Sequence, residues 1–387
     1  MSVDALPGRN GQGTKQSAHV RKRILFAPVP LSPTKPLTPS HIKGLLWADV
    51  LGRSTNVLCD VDYLYSHSTA NLSGQTLGFW SFLDDQYADT DFTKLDEEQI
   101  GALYVEFHQQ GQFQASPRIF AYRDSVERES WVHPASTRIL QLWRERMADF
   151  GIRDPGLAGP SRPLADLDVT VEALAARGLC IDHRSWRGPV YVDATSFGLP
   201  LRQIVGSSGH ANYLACALRE LVPLIGDYDE FVLACDREAL PDYELLRRVL
   251  VSLGASVSLI TVGRVRVGTT VQASRHGGWA GVTAAPLSRQ FLENVEPQVF
   301  KLGLRLYFIA TLGPGDLEPF RMDILSRCMT RAERVLSQAR EPTSTGLPEF
   351  LGRHARSLPY VHPYRLTSAL MDRRLNISRD LLTEVFV

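Results

Sequence analysis

Three side chains near residue 40 stand where a helix should begin. Thr38, Ser40 and His41 close a loop rich in Pro, Ser and Thr (31–40). Directly after them, Ile42, Leu45, Leu46, Val50 and Leu51 recur at helical spacing. A helix starting near His41 turns free backbone N–H groups toward the loop. Those groups, with an imidazole beside them, favour an anion such as a phosphate. The plainer alternative is that His41 is only an N-terminal helix residue beside a loop. A second candidate cluster is Ser274 and Arg275, in a polar segment that ends in Gly277 and Gly278. A guanidinium there could clamp a phosphate with two hydrogen bonds, or belong to an ordinary surface loop. Asp236 follows an apolar run and stands at the start of another helix, where an acidic group complements the helix dipole. Asp60 and Asp62 follow a second apolar stretch, where a helix-capping role is one reading. Cys180 and His183 could pair as nucleophile and base, but no third partner accompanies them, which favours packing or surface roles.

The chain's elements must bring these residues together. Residues 23–30 predict a short buried strand that stops at proline. The helix from His41 and a second strand at Val57–Cys59 complete a βαβ unit, and such units imply a parallel sheet with right-handed crossovers. Residues 65–130 mix aromatic and acidic side chains, including Phe79, Trp80, Phe82, Asp84, Asp85 and Tyr87, and predict an insertion with some helix. Thr137–Phe150 predicts a helix closed by Gly151. A Gly/Pro-rich link, Asp154–Pro163, leads to a helix ending at Gly178. The α/β rhythm then resumes: strand Val190–Asp193, helix Ala211–Ile225, strand Phe231–Cys235, helix Asp242–Leu253 and strand Val257–Val262. After Ala280 the chain reads as mostly helical. The expected fold is α/β: a Rossmann-like doubly wound parallel sheet with a helical insertion and a helical C-terminal region. The expected division is a disordered tail (1–22), the first half of the nucleotide-binding domain (23–64), an insertion (65–165), its second half (166–285) and a helical C-terminal region (286–387). Doubly wound sheets bind ligands at the carboxyl ends of their strands, so the loops 30–41, 59–66, 193–210, 235–242 and 263–280 should hold any site.

The segment Pro33 to Arg53 resembles the start of class I aminoacyl-tRNA synthetases, especially the methionyl and arginyl types. Their pattern is a Pro-rich loop, then His-Ile-Gly-His, then a helix with Asp and Arg at fixed distances. Aligned on Asp49 and Arg53, that tetrapeptide falls on Thr38, Pro39, Ser40 and His41. His41 keeps the second histidine, Thr38 replaces the first, and Lys43 stands where a basic residue often follows. The family's second signature, Lys-Met-Ser-Lys-Ser, falls on Gln272 to His276, where Ser274 and the basic Arg275 survive and Gln272 replaces the first lysine. Asp236 falls where methionyl-type enzymes have a ribose-contacting Asp, and Asp60 and Asp62 fall near where synthetases hold the amino-acid ammonium group. Leu302 to Phe308 is similar to the helix that follows the signature loop.

The resemblance covers residues 23–335 and implies ATP, with Mg2+, as the cofactor. His41 and Arg275 would be catalytic, with Thr38, Ser40, Asp236 and Ser274 binding the nucleotide. The implied reaction activates an amino acid as its adenylate, with tRNA or a small amine or carrier as acceptor. Only 47 residues follow Arg340, little room for the family's anticodon-binding domain. The altered signatures leave a second expectation open: a catalytically inactive paralogue that binds a nucleotide or a partner.

Composition limits the other classes. The chain has 387 residues, 44% hydrophobic and 22% charged, with a formal net charge of +0, so no bulk field draws it to nucleic acid. Locally, residues 321–387 hold eleven Arg, no Lys and seven acidic residues, which is either a solvated helix face or an RNA-binding surface. Five scattered cysteines, none at metal-ligand spacing, fit buried thiols in a reducing cytoplasm. No apolar run approaches a membrane span. Neither a Gly-x-Gly-x-x-Gly nor a phosphate loop ending in Gly-Lys-Ser/Thr is present.

Overall fold

The computed structural model describes residues 21–28, 30–111, 117–157, 164–268, 277–315, 318–341, 346–372 and 377–387. The expected tail lies outside them up to residue 20, and so do Gln272, Ser274 and Arg275.

A four-stranded, all-parallel sheet forms the centre. Its strands are β1 (Arg23–Pro28), β2 (Asp60–Tyr63), β6 (Glu230–Cys235) and β7 (Val257–Thr261), in the order β2-β1-β6-β7. A separate antiparallel sheet holds β3 (Cys180–Asp182), β4 (Val190–Val192) and β5 (Arg202–Val205). Helix α1 (Pro39–Asn56) joins β1 to β2. The segment after β2 carries α2 (His67–Asn71), α3 (Gly74–Gln86), α4 (Glu97–Gln109), α5 (Pro117–Glu129) and α6 (Pro134–Phe150). Next come α7 (Leu167–Ala175), α8 (Tyr213–Leu221) and α9 (Leu240–Ser252), then α10 (Ala284–Leu292) and α11 (Pro297–Arg305), which continues as a π-helix over Leu306–Thr311. Helices α12 (Met322–Ser337), α13 (Leu347–Ala355) and α14 (Pro363–Ala369) follow, and the chain ends in Arg379–Leu381 with a π turn, Leu382–Phe386.

The strands read as continuous apolar runs because both faces of the sheet are covered. In β1, Ile24 and Phe26 enter one core while Leu25 and Ala27 enter the other; in β6, Val232 and Ala234 oppose Phe231, Leu233 and Cys235 in the same way. Helix α1 covers the first face with Ile42, Leu46, Val50 and Leu51, and α8 and α9 cover the second with Leu214, Leu218, Leu246 and Val249. Each such side chain, fully buried, contributes ~1.5–3 kcal/mol. The alternation follows from chirality. β1 steps outward to β2 and β6 steps outward to β7 in opposite directions, so right-handed crossovers place their helices on opposite faces.

Two expectations need correction. The second strand is Asp60–Tyr63, not Val57–Cys59; α1 runs on to Asn56, and residues 57–59 form the turn that ends it. The strand at Val190 does not rejoin the parallel sheet; it is the middle of the antiparallel one, and its apolar side chains pack on the second core. Residues 65–130, expected to hold some helix, are mostly helix among the described residues. Gly151 does close α6, in the left-handed conformation at φ 64°.

Candidate functional site at the carboxyl ends of the strands

Strand order reverses between β1 and β6, and at that switch point the sheet opens a pocket of about 420 Å³. Thr38, Ser40, His41 and Asp236 all line it. Lys43 does not; it is buried below, and its ammonium donates to the Gly315 carbonyl at 2.6 Å. Asp60 and Asp62 also lie elsewhere. They are strand residues on the outer edge, paired with Arg21 and Arg23, so neither caps a helix and neither lines the pocket. Ser274 and Arg275 are outside the described residues, though the adjoining Gly277 and Gly278 reach the pocket rim.

The N-terminus of α1 is built to present an imidazole. Pro39 occupies the first helical turn, where a missing N–H costs nothing. The Thr38 N–H donates to His41 Nδ1 at 3.3 Å, so the neutral ring carries its proton on Nε2. No acidic residue occupies the first turn, so the positive end of the helix dipole is left uncompensated. Burial, with Lys35 and Arg264 nearby, pushes the His41 pKa down to about 3, against a smaller opposing effect of the Pro36 carbonyl. His41 is therefore an uncharged donor across the neutral range, not a cation.

Among the described residues, the pocket cation not tied to a carboxylate is Lys35, which sequence reasoning passed over. Its ammonium stacks 4.6 Å from the Tyr104 ring centre, and the residue is only 7% exposed. No carboxylate pairs with it among the described residues, and burial with Arg264 nearby lowers its pKa to about 8. Trp143 Nε1 donates to the Lys35 carbonyl at 3.1 Å, and the Ala284 N–H donates to the Leu37 carbonyl at 3.0 Å, which pins the Pro-rich loop from both sides. Gly101 allows α4 to close on that loop: a Cβ there would lie 2.5 Å from Pro36 Cδ and 2.7 Å from the Trp279 ring.

Ser40 and Asp236 have structural work to do. The Ser40 hydroxyl accepts from the Val265 N–H at 2.9 Å and donates to its carbonyl at 3.3 Å, fastening α1 to the segment after β7. Asp236 Oδ1 accepts from the Ala239 N–H at 2.9 Å at the start of α9, and its Oδ2 accepts from Arg264 at 2.8 Å. Arg264 also pairs with Glu238 at 2.8 Å. The helix-terminal reading of Asp236 thus describes its present contacts. A carboxylate has acceptor capacity beyond these two hydrogen bonds.

Cys216, Cys235 and Cys328 are buried, while Cys59 and Cys180 are half-buried. Burial and Asp236 push Cys235 at the pocket wall up to about 12, and Cys180 rises to about 11 for similar reasons.

This architecture has counterparts among solved structures. The chain is similar to Thermus thermophilus arginyl-tRNA synthetase, with a TM-score of 0.63 at 15% identity over 94% of this chain and 74% of that one. It is also similar to arginyl-tRNA synthetase from Plasmodium falciparum, with a TM-score of 0.54 at 12% identity over 92% and 68%. The chain has the fold of the class I synthetases. At these identities the likeness concerns the fold alone. No family description matches the sequence, and no curated protein matches it. No helix among the described residues is long and apolar enough to cross a membrane.

Proposed function

We propose that this chain activates an amino acid with ATP, forming the aminoacyl adenylate in the pocket between β1 and β6. The observation that carries this reading is the meeting of Lys35 and His41 at the N-terminus of α1. In the reaction, a carboxylate oxygen of the amino acid attacks the α-phosphorus of ATP. The bond from that phosphorus to the bridging oxygen breaks, and pyrophosphate leaves with the electron pair. Negative charge grows on the phosphate oxygens, where the Lys35 ammonium, the α1 N–H groups and the His41 Nε2–H can meet it. Thr38 holds the imidazole in the donating tautomer. In line with the second signature, Ser274 and Arg275 would supply a hydroxyl and a second cation, and Asp236 would accept from the ribose.

Mg2+ enters this reading as part of MgATP. No group of three or more metal-ligating side chains occurs among the described residues, and both pocket carboxylates are held by Arg264, whereas Mg2+ commonly takes its ligands from phosphates and water. The acceptor of the second step is a tRNA or a small amine or carrier.

A second reading, a nucleotide- or partner-binding protein without catalysis, is favoured by Thr38 and Gln272 standing where the family carries His and Lys. Amino-acid-dependent exchange of pyrophosphate into ATP separates the two. Exchange with any amino acid supports activation; ATP binding without exchange across the common amino acids favours the second reading.

A further inference from the structure

Resting on the reading that this pocket activates an amino acid, we infer that the side chain it selects is uncharged and apolar or aromatic, unlike the cationic substrate that gives the structural neighbours their name. The pocket has two lobes, set by strand order. The β6 and β7 side holds Asp236, Val262 and Arg264, and the β2 side holds Tyr63 and Tyr65 and is walled by the helices that follow β2. Gln75 from α3, Tyr104 from α4, Trp143 and Met147 from α6, and Leu157 build that wall.

Apart from the Tyr63 hydroxyl and the Gln75 carbonyl oxygen, both neutral, the polar groups of this second lobe are engaged within the protein. Tyr65 donates its hydroxyl proton to the Leu31 carbonyl at 2.9 Å. Trp143 donates to the Lys35 carbonyl at 3.1 Å. The Gln75 amide donates to the Tyr104 hydroxyl and lies 2.9 Å from His108 Nε2. What the lobe offers a ligand is the accessible sides of Tyr63, Tyr65 and Gln75 over the nearly buried walls of Tyr104, Trp143, Met147 and Leu157, an uncharged surface that gains free energy by covering apolar area.

A guanidinium or ammonium side chain would find no counter-charge here. Among the described residues the pocket's only carboxylates are Asp236 and Glu238, both on the other lobe and both paired with Arg264. The Lys35 ammonium already lies against Tyr104 on this wall, so a second cation would be both unpaired and repelled. An acidic side chain would be drawn to Lys35, but then it would compete with the triphosphate for that ammonium.

The test is calorimetric titration of the full chain with leucine, methionine, phenylalanine, tyrosine, glutamate, lysine and arginine, with MgATP titrated separately. The expected result is one uncharged member binding at least ~10-fold tighter than arginine, lysine or glutamate, the scale on which apolar pockets discriminate. A charged member binding as well as or better than every uncharged one overturns the inference. MgATP binding with no amino acid binding overturns it too, while leaving the nucleotide site intact. Amino-acid binding without MgATP binding sinks the activation reading and still decides the side-chain class. In Met147→Ala, affinity for the preferred amino acid should drop about 10-fold with MgATP affinity unchanged. Leu157→Ala serves the same purpose if the first variant does not fold. Unchanged amino-acid affinity in a folded variant removes this wall from the site.

Discussion

Asp49 and Arg305 form an ion pair 2.6 Å apart with side chains 1% and 0% exposed, 256 residues apart in the chain. Around them, Arg53 donates to Asp49 at 2.9 Å and to the Gly151 carbonyl at 2.7 Å, and Arg305 donates to the carbonyls of Phe150 and Gly151. The Arg153 N–H completes the shell at 2.9 Å from Asp49. One carboxylate thus ties α1, the end of α6 and α11 into a single block. The Asp/Arg spacing that aligned the first signature is therefore a structural knot one helical stretch below the pocket.

Breaking that knot from one side should unfold the protein readily. Asp49→Ala leaves the Arg305 guanidinium buried without a counter-charge, a change that costs ~3–5 kcal/mol. Replacing both partners with apolar residues, as Asp49→Leu with Arg305→Met, should recover much of that loss. Urea midpoints of the two singles and the double test this, and strict additivity would show that the residues do not act as a pair.

At the pocket, His41→Ala should slow adenylate formation about 10²–10³-fold, the usual consequence of removing one preorganised donor to developing charge. ATP affinity should change far less, because the gain arises in the transition state. Arg275→Ala should behave similarly. Since the His41 pKa is pushed down to about 3, the rate between pH 5 and 8 should show no inflection that disappears in His41→Ala. Wild-type single-turnover rates in both variants would remove them from the mechanism.

How much of this was legible follows from the range over which each signal acts. The start of α1 is legible to within two residues because the Pro-rich loop runs directly into the apolar stripe. Strand β2 was displaced by three positions because Asp60 and Asp62 point outward from an edge strand and break the apolar run expected of a buried one. Strand β4 has the same apolar run in an antiparallel sheet as it would in a parallel one, so its partner was invisible. Lys35 was missed because a lysine in a Pro-rich loop reads as solvated. Its burial depends on Tyr104 and on Trp143, 108 residues away, and nothing local announces them.

Lys35 should give ATP affinity a pH dependence. Its pKa is lowered to about 8 in the free protein, and an anionic ligand raises it by favouring the charged form. Affinity should then be steady below about pH 8 and fall as pH rises above it. Lys35→Arg should remove the fall, because guanidinium stays protonated, whereas Lys35→Met should weaken binding at every pH. Dissociation constants for ATP between pH 6.5 and 9.5 decide this; a parallel profile in wild type and Lys35→Arg would show that some other group titrates.

The remaining prediction concerns stability away from the pocket. Glu97, at the start of α4, is 2% exposed, and burial raises its pKa to about 7, with Glu98 and Asp96 adding smaller upward effects. Arg146 opposes the shift, but its nearest nitrogen is 3.9 Å away, too far for a hydrogen bond. A carboxyl group whose folded pKa exceeds its unfolded value binds its proton more tightly when folded. Stability from this group is therefore full below about pH 4.5 and is lost as pH rises toward 7. The shift from 4.5 to about 7 corresponds to ~3 kcal/mol at pH 8. Glu97→Gln keeps the shape and removes the charge. It should raise the urea midpoint at pH 8 and have little effect at pH 4.5. Equal shifts at the two pH values would mean that packing, not ionisation, sets the difference.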